Sequence, residues 1–441
     1  MSLKVYSISL GCPKNRVDSE RLLGSLGLSI RSVKRPGSAQ LIFINTCGFI
    51  EPAVRESVRV ILDSIAERST AKADKPLLVV GGCLVGRYGA ADLAADLPEV
   101  DLWLPTAELA DWPVKLLAAL QTAGKLTDGR VTAGRLLSTG PSYAWMKISE
   151  GCGQSCSFCT IPQIRGKVRS LEADFIAEEA SGLLKQGVSE LILVAQDLTS
   201  WGQDLKIAGK KPELRDLLEK LLPLPGLKWL RLMYLYPAGL TEDLLKFLRD
   251  AGPPFIPYFD IPLQHADSGI LTAMGRPFSQ SPFKVVERVR KYLPEAALRT
   301  SLITGFPGET EENFATLCRF VQEARFQNLG VFAYEAEDGT PAATMQNQIP
   351  VELRTERRDR IMELQAEISA ELLQGHLGQN MDILVDEPHP EWPGLYVGRT
   401  WFQAPEVDGV TYVSGENLRP GDFVRAEISE TFEYDLNALV P

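Results

Sequence analysis

The sequence predicts an α/β chain in three parts: an N-terminal doubly wound parallel-sheet domain, a central incomplete (β/α) barrel, and a small C-terminal antiparallel β-barrel. Three observations carry this. At 441 residues the chain is too long for one ordinary hydrophobic core. Apolar strand-like runs alternate with amphipathic helical runs over most of its length, the pattern of repeated βα units on a parallel sheet. Beyond residue 375 that alternation gives way to short strand-like segments separated by Pro and Gly, as in a small barrel.

The first part, residues 1–128, reads as strand KVYSISL, helix RVDSERLLGSL, strand QLIFINT, helix EPAVRESVRVILDSIAE and strand PLLVVGG, then helix-like sequence to about Leu120. The polar, Gly-rich TAGKLTDGRVTAGRLLSTGPS reads as a linker. The second part, 129–374, supplies strands YAWMKIS, ELILVAQD, LKWLRLMY, YFDIPL, LRTSLIT and LGVFAY, with helical runs between them. About six strands make an incomplete version of the eight-stranded barrel, and such barrels react at the C-terminal ends of their strands. The charged helix VELRTERRDRIMELQAEISAELLQ leads to the third part, 375–441, with segments MDILVDE, LYVGRTWFQA, GVTYVSG and DFVRAEIS.

Hydrophobic residues are 45% of the chain and charged residues 23%, the balance of a soluble globular protein. The start shows no basic leader or cleavage site, and no run of about 18 apolar residues is present, so neither export nor a membrane span is expected. Seven cysteines, an odd number, do not read as a secreted disulfide framework. A reducing cytoplasm fits them better.

Cys12, Cys47 and Cys83 each follow an apolar strand, in SLGC, INTC and VGGC. The C-terminal ends of parallel strands share one edge, where ligands usually bind, so these thiols are expected to converge. Cys152, Cys156 and Cys159 form a Cys-x3-Cys-x2-Cys run on one loop. A structural zinc site wants four protein ligands and finds no fourth nearby, and a disulfide leaves one thiol over. A 4Fe-4S cluster held by three thiolates keeps one iron open. S-adenosylmethionine can fill that corner with its amino and carboxylate groups. A zinc loop or incidental thiols is the competing reading.

This loop, with Phe158 just before its last cysteine, resembles the radical S-adenosylmethionine motif of TIM-like barrels. The resemblance covers nearly the whole chain. SLGCPKNRVDSE, INTCGFI and GGC resemble the methylthiotransferase N-terminal domain, and the C-terminal segment resembles the OB-like TRAM domain. Among methylthiotransferases, LGCPKN, AQDLTSWGQDL, PYFDIPLQHAD, RTSLITGFPGETEENF and FAYEAEDGTPAA are most similar to bacterial enzymes that modify an aspartate of ribosomal protein S-twelve. The tRNA-modifying relatives typically carry an Asn in place of Asp197 and a serine-glycine pair in place of Gln264 and His265. Thr160 departs from the pattern, where an apolar residue is expected, while the ligand spacing is intact.

The resemblance implies two 4Fe-4S clusters, a radical one on Cys152, Cys156 and Cys159 and an auxiliary one on Cys12, Cys47 and Cys83. It implies cleavage of S-adenosylmethionine to methionine and a 5′-deoxyadenosyl radical, which takes hydrogen from the β-carbon of the target aspartate. A second S-adenosylmethionine methylates sulfur carried at the auxiliary cluster. An electron donor such as flavodoxin or ferredoxin and a sulfur donor are implied as partners. The alternatives are a tRNA adenosine methylthiotransferase and a two-cluster electron carrier or assembly protein. Barrel strands beyond the loop, together with LITGFPGET, argue against the carrier.

Six further residues are candidate cofactor contacts. Phe158 is expected against the adenine or in the loop core. Arg165 is expected at a carboxylate of cofactor or substrate, or simply on the surface. Gln196 and Asp197 end a strand and face the barrel mouth, or cap the segment that follows. Gly305, with Gly308, belongs to the glycine-containing cofactor strand LITGFPGET, where close backbone approach is possible. His265 reaches the mouth or is structural. Cys318 sits at helical spacing from Phe314 and Val321 and reads as packing.

Of the net charge of −11, residues 376–441 carry −9, with 12 acidic residues against 3 Arg and no Lys. An RNA backbone is held by Lys and Arg that displace counterions, so direct tRNA binding is not expected. An acidic barrel attracts a basic ribosomal protein instead. The plainer reading is a face that aids solubility.

Overall fold

Residues 2–69, 75–206, 209–276 and 281–441 are described by the computed structural model. The chain divides into two units, Met1–Ser138 with Glu150–Gln154 and Cys159–Lys167, and Thr139–Ser149 with Ser155–Phe158 and Val168–Pro441.

In the first unit β1 (Ser2–Ser9), α1 (Pro13–Ser25), β2 (Ser29–Ser32), β3 (Leu41–Thr46), α2 (Glu51–Ser69), β4 (Leu77–Gly82), α3 (Cys83–Tyr88), α4 (Ala90–Asp96), β5 (Leu102–Pro105) and α5 (Trp112–Thr122) follow in order. The strands form a parallel sheet ordered β2-β1-β3-β4-β5. Successive side chains of a strand point to opposite faces, and here both faces are covered. Leu41 and Phe43 join Val79, Leu22 and Trp112 on one side, while Ile42 and Ile44 join Val80, Ile61 and Leu84 on the other. The sheet is therefore doubly wound. β2 and β5 go beyond the sequence reading: SIRS is a largely exposed edge without apolar alternation, and LWLP lies in sequence read as helical.

The segment read as a linker is tied down rather than free. Arg135 pairs with Glu20 of α1 at 2.6 Å, and the Ser138 N–H donates to the same carboxylate at 2.8 Å. A buried carboxylate requires such partners.

The chain continues through β6 (Tyr143–Lys147), β7 (Ser149–Glu150), α6 (Ile161–Arg165), β8 (Arg169–Ser170), α7 (Ala173–Lys185), β9 (Glu190–Val194), α8 (Leu214–Leu221), β10 (Trp229–Leu232), α9 (Glu242–Ala251), β11 (Phe255–Asp260), α10 (Ser268–Ala273), α11 (Pro282–Tyr292), β12 (Ala297–Thr304), α12 (Glu311–Ala324), β13 (Asn328–Ala333) and α13 (Val351–Gln374). Six of these strands make a parallel sheet ordered β13-β12-β11-β10-β9-β6, a partial (β/α) barrel. The apolar stripe of α12 starts at a capping box between Thr310 and Asn313.

Last come β14 (Asn380–Pro388), β15 (Leu395–Arg399), β16 (Thr411–Ser414), β17 (Phe423–Thr431) and β18 (Leu436–Leu439), which close into a barrel ordered β14-β15-β16-β18-β17. It is not wholly antiparallel, because β16 and β18 run parallel. The barrel is bolted to the six-stranded sheet within the second unit. Glu190 accepts from Arg231 and from Arg399, each at 2.7 Å, with all three side chains buried. Asp408 accepts from Tyr258 at 2.6 Å and pairs with Arg299 at 3.1 Å. Burial works against the Arg399 charge, but Glu190 and Asp386 outweigh it and raise its pKa. Among the described residues no helix is long and apolar enough to cross a membrane.

Candidate functional site

The edge of the first sheet collects three cysteines. Cys12 follows β1 and is locked by Pro13 at the start of α1, Cys47 follows β3, and Cys83 opens α3 directly after β4. Because β1, β3 and β4 are neighbours, their C-terminal ends bring the three residues together. The Cys83 Sγ lies 3.8 Å from Oδ1 of Asn15, which also holds the loop carrying Cys12.

Close packing at this edge depends on glycine. Gly11 has φ +81°, and a Cβ there would stand 2.7 Å from the Cys47 Sγ. A Cβ on Gly48 would meet the Cys83 backbone at 2.8 Å. Ser57 of α2 fixes Cys47 from behind, accepting from its N–H at 3.1 Å and donating to its carbonyl at 2.8 Å. Asn15 donates from Nδ2 to the Leu10 and Thr46 carbonyls at 2.8 and 2.9 Å, stitching the first two cysteine loops together.

Burial pushes the Cys47 thiol up to about 12 and also raises Cys83, where Arg165 opposes the rise. At Cys12 burial is outweighed by the charges of Lys14 and Arg165 and by backbone N–H groups, and the thiol is held below its ordinary value. Among the described residues no group of three or more His, Cys, Asp or Glu is arranged to hold a metal ion. Each thiolate of a cubane cluster binds a different iron, so its ligands stand farther apart than the donors round one ion. Three thiols gathered on one edge, with the glycine cradle, are compatible with the soft sulfur donor set that an iron–sulfur cluster would take.

Arg165 does not lie on the surface, and its hydrogen-bond donors go to protein groups instead of a free mouth. It is buried, its Nη1 donates to both Glu150 oxygens at 2.8 Å and reaches Asp18 at 3.3 Å, and its Nε donates to the Cys83 Sγ at 3.2 Å. Its Nη2 meets Asn15 Oδ1. Burial works against its charge, and Cys83, Glu150 and Asp18 outweigh burial and raise its pKa well above the ordinary value. Thr160 departs from an apolar expectation for a visible reason: it is buried and its hydroxyl donates to the Phe49 carbonyl at 3.0 Å.

On the three-cysteine loop, the Cys152 N–H donates to the Gly166 carbonyl at 3.0 Å, and its Sγ accepts from the Gln154 N–H at 3.5 Å. Within the second unit, Cys156 has Arg276 Nη1 at 3.7 Å from its Sγ. Arg276 stacks over Tyr236 at 4.4 Å and donates to the Pro262 carbonyl. Ser157 donates from its N–H to the Met274 carbonyl at 3.0 Å and from its hydroxyl to the Ala273 carbonyl at 2.8 Å. Phe158 packs beside Ile270, Met274, Phe306 and Tyr334.

The remaining candidates follow strand ends in the six-stranded sheet. Gln196 and Asp197 come after β9, where Asp197 is buried and accepts from Thr199 at 2.7 Å and Ser200 at 2.5 Å. His265, after β11, is fully buried. Its Nδ1 accepts from the Asp267 N–H at 3.0 Å and its Nε2 faces Glu309 Oε2 at 3.2 Å. Gly305 has φ +70°, and the group pressed against it is Arg354, whose Cγ lies 2.2 Å from where a Cβ would stand. Glu309 accepts from the Gly305 N–H at 3.0 Å and from Arg357 at 2.7 Å.

Asn15, Asp18, Glu150, Arg276 and Glu309 were not singled out by sequence reasoning. A signal existed for two of them. Asn15 and Asp18 are polar residues on the face of α1 that must be buried against the sheet, and a polar residue in such a place needs a partner.

A partial (β/α) barrel whose first strand is followed in sequence by a Cys-x3-Cys-x2-Cys loop defines the class: a radical S-adenosylmethionine enzyme. Residues 146–321 match the radical SAM superfamily, 377–440 the TRAM domain, and 4–105 the uncharacterized protein family UPF0004. The chain is 60% identical over 438 residues to ribosomal protein uS12 methylthiotransferase RimO of Nitratidesulfovibrio vulgaris, covering 99% of this chain and 100% of that protein. It is 40% identical to the protein of the same name from Aquifex aeolicus, covering 98% and 96%. The chain belongs to the RimO methylthiotransferase family. Among solved structures, the radical S-adenosylmethionine methyltransferase TsrM of Kitasatospora setae, with cobalamin and a 4Fe-4S cluster bound, aligns with TM-score 0.54 at 14% identity over 90% of this chain and 81% of that one. That likeness concerns the fold alone.

Proposed function

We propose that this enzyme adds a methylthio group to the β-carbon of an aspartate in ribosomal protein uS12. The observation that carries the reading is the gathering of Cys12, Cys47 and Cys83 on one sheet edge, in a chain that also holds a complete three-cysteine loop. Relatives matching over the full length bear the uS12 methylthiotransferase name.

In this reading residues 1–128 hold an auxiliary 4Fe-4S cluster on Cys12, Cys47 and Cys83. Residues 129–374 hold the radical 4Fe-4S cluster on Cys152, Cys156 and Cys159, and residues 375–441 engage the substrate protein. Bound there, the clusters and S-adenosylmethionine supply radical and sulfur chemistry that no side chain offers. The chain's own part is to hold and orient. Gly11 and Gly48 let the thiols pack, Ser57 and Asn15 fix their loops, and Arg276 with Ser157 secures the loop around Cys156. Phe158, Gln196, Asp197, His265 and Gly305 remain the proposed surroundings of S-adenosylmethionine, with Arg165 set apart near Cys83.

The basic uS12 would meet the acidic barrel. A groove of about 530 Å³ there is lined by His389, Trp392, Tyr412, Phe432 and Glu391, with Trp392 60% exposed and stacked on His389. Aromatic faces beside a carboxylate suit the Arg and Lys side chains of a basic protein. The reductant is a flavodoxin or ferredoxin, sulfur comes from a separate donor, tRNA is not bound directly, and the setting is the cytoplasm.

The test is mass spectrometry of uS12 after incubation with the reduced, reconstituted enzyme, S-adenosylmethionine and sulfide. One aspartate gains the methylthio mass. Product on tRNA, with uS12 untouched, overturns the assignment.

A further inference from the structure

We infer that Arg165 is a positioning residue for the auxiliary cluster, and that its Nε–H bond to the Cys83 sulfur sets that cluster's reduction potential. This rests on the reading that Cys12, Cys47 and Cys83 carry a cluster.

Arg165 closes α6, the short helix after Cys159, and its side chain is 1% exposed. A guanidinium so enclosed is stable only when its donors are matched. Two carboxylates from different elements aim it: Glu150, which precedes Gly151 and Cys152, and Asp18 on α1. With Nη1 claimed by these acids and Nη2 by Asn15, the Nε–H is left directed at Cys83 at 3.2 Å. Lysine, a single point charge, cannot serve two acids, an amide and a sulfur at once.

Hydrogen bonds to ligand sulfur, together with local charge, tune an iron–sulfur cluster. Reduction adds negative charge, so a cationic donor at Cys83 favours the reduced state and a nearby carboxylate opposes it. Removing the arginine must therefore lower the potential, and neutralising Glu150 must raise it. An arginine that only holds the fold together gives no such pair of opposite signs.

The experiment uses the full-length chain with Cys152, Cys156 and Cys159 changed to alanine, so that any cluster formed is the auxiliary one. After anaerobic reconstitution, iron is counted and the potential is read by electron paramagnetic resonance during redox titration. This parent is expected to hold about four irons. Adding Arg165→Met or Arg165→Lys is expected to shift the potential negative, and adding Glu150→Gln to shift it positive. If the parent holds no iron, the two-cluster reading itself fails and this inference falls with it. If iron is retained but the potentials stay put, or Arg165→Met and Glu150→Gln move them the same way, the inference alone is overturned. Loss of iron from every variant also overturns it, as the mark of a purely structural part. Where only Arg165→Met loses iron, the Arg165→Lys and Glu150→Gln potentials decide.

Discussion

His265 Nε2 stands 3.2 Å from Glu309 Oε2, and neither side chain has any solvent exposure. The histidine Nδ1 accepts from a backbone N–H, so the proton of the neutral ring lies on Nε2 and faces the carboxylate. Glu309 is also the acceptor for Arg357 and Gly305. Glu309→Ala would take from the Arg357 guanidinium its buried carboxylate and leave it only the exposed Glu311, and is expected to lower stability by about 3 kcal/mol, with Glu309→Gln milder. Denaturant midpoints measure this, and an unshifted midpoint for Glu309→Ala would remove the array's structural role.

The cysteine edge offers a sharper steric test. Gly11→Ala adds a Cβ 2.7 Å from the Cys47 sulfur at a left-handed φ. The expected outcome is a folded chain that takes up about four irons where the native protein takes about eight. Full iron content in the alanine variant would show that the edge tolerates the added Cβ and that Gly11 is not needed for cluster binding.

Arg276 should matter through Cys156. It lies 3.7 Å from that sulfur while stacked on Tyr236. Loss of such an outer partner typically costs roughly 10- to 100-fold in metal affinity or activity. Arg276→Ala is expected to reduce 5′-deoxyadenosine formation by that much, and an undiminished rate would contradict the assignment.

Docking on the last barrel is measured by affinity. Trp392→Ala removes an exposed ring from the groove, and a central aromatic anchor is worth about 2 kcal/mol or more. The Km for uS12 is expected to rise at least about tenfold. An unchanged Km would move the docking surface elsewhere.

Glu190 joins Arg231 and Arg399 across the sheet and the last barrel. Glu190→Ala leaves the buried Arg231 without a carboxylate and Arg399 with Asp386 alone, and a loss of about 3–5 kcal/mol is expected. Calorimetry of the full chain checks it, with a near-native melting temperature as the contrary result.

Much of the fold was legible because both faces of the first sheet are buried. LIFINT and LLVVGG are continuous apolar runs, and that continuity is the mark of a parallel strand. SIRS, at an exposed edge, carries no such mark, and the parallel pairing of LNAL with TYVS depends on a long-range register that local pattern does not encode. The cysteines were readable from their spacing and strand-end positions. Arg165 was misplaced for another reason: its partners Asp18 and Cys83 are distant in sequence, and a single arginine carries no local sign of being enclosed. Gly305 has Arg354 on the side where a Cβ would stand, and α13 brings that neighbour in 49 positions later, which local pattern does not reveal.

Of the bolts between the last barrel and the sheet, Glu190 opens β9 and Arg299 is the third residue of β12, whereas Gln196, His265 and Gly305 come after their strands finish. From Arg299 to Gly305 the chain rises about 3.3 Å per residue along β12, which separates the two by roughly 20 Å. In the proposed reading, a client gripped by the barrel has to send an arm along the core before its aspartate arrives. On that same reading, a round basic protein of equal charge but without a projecting loop is held and never marked.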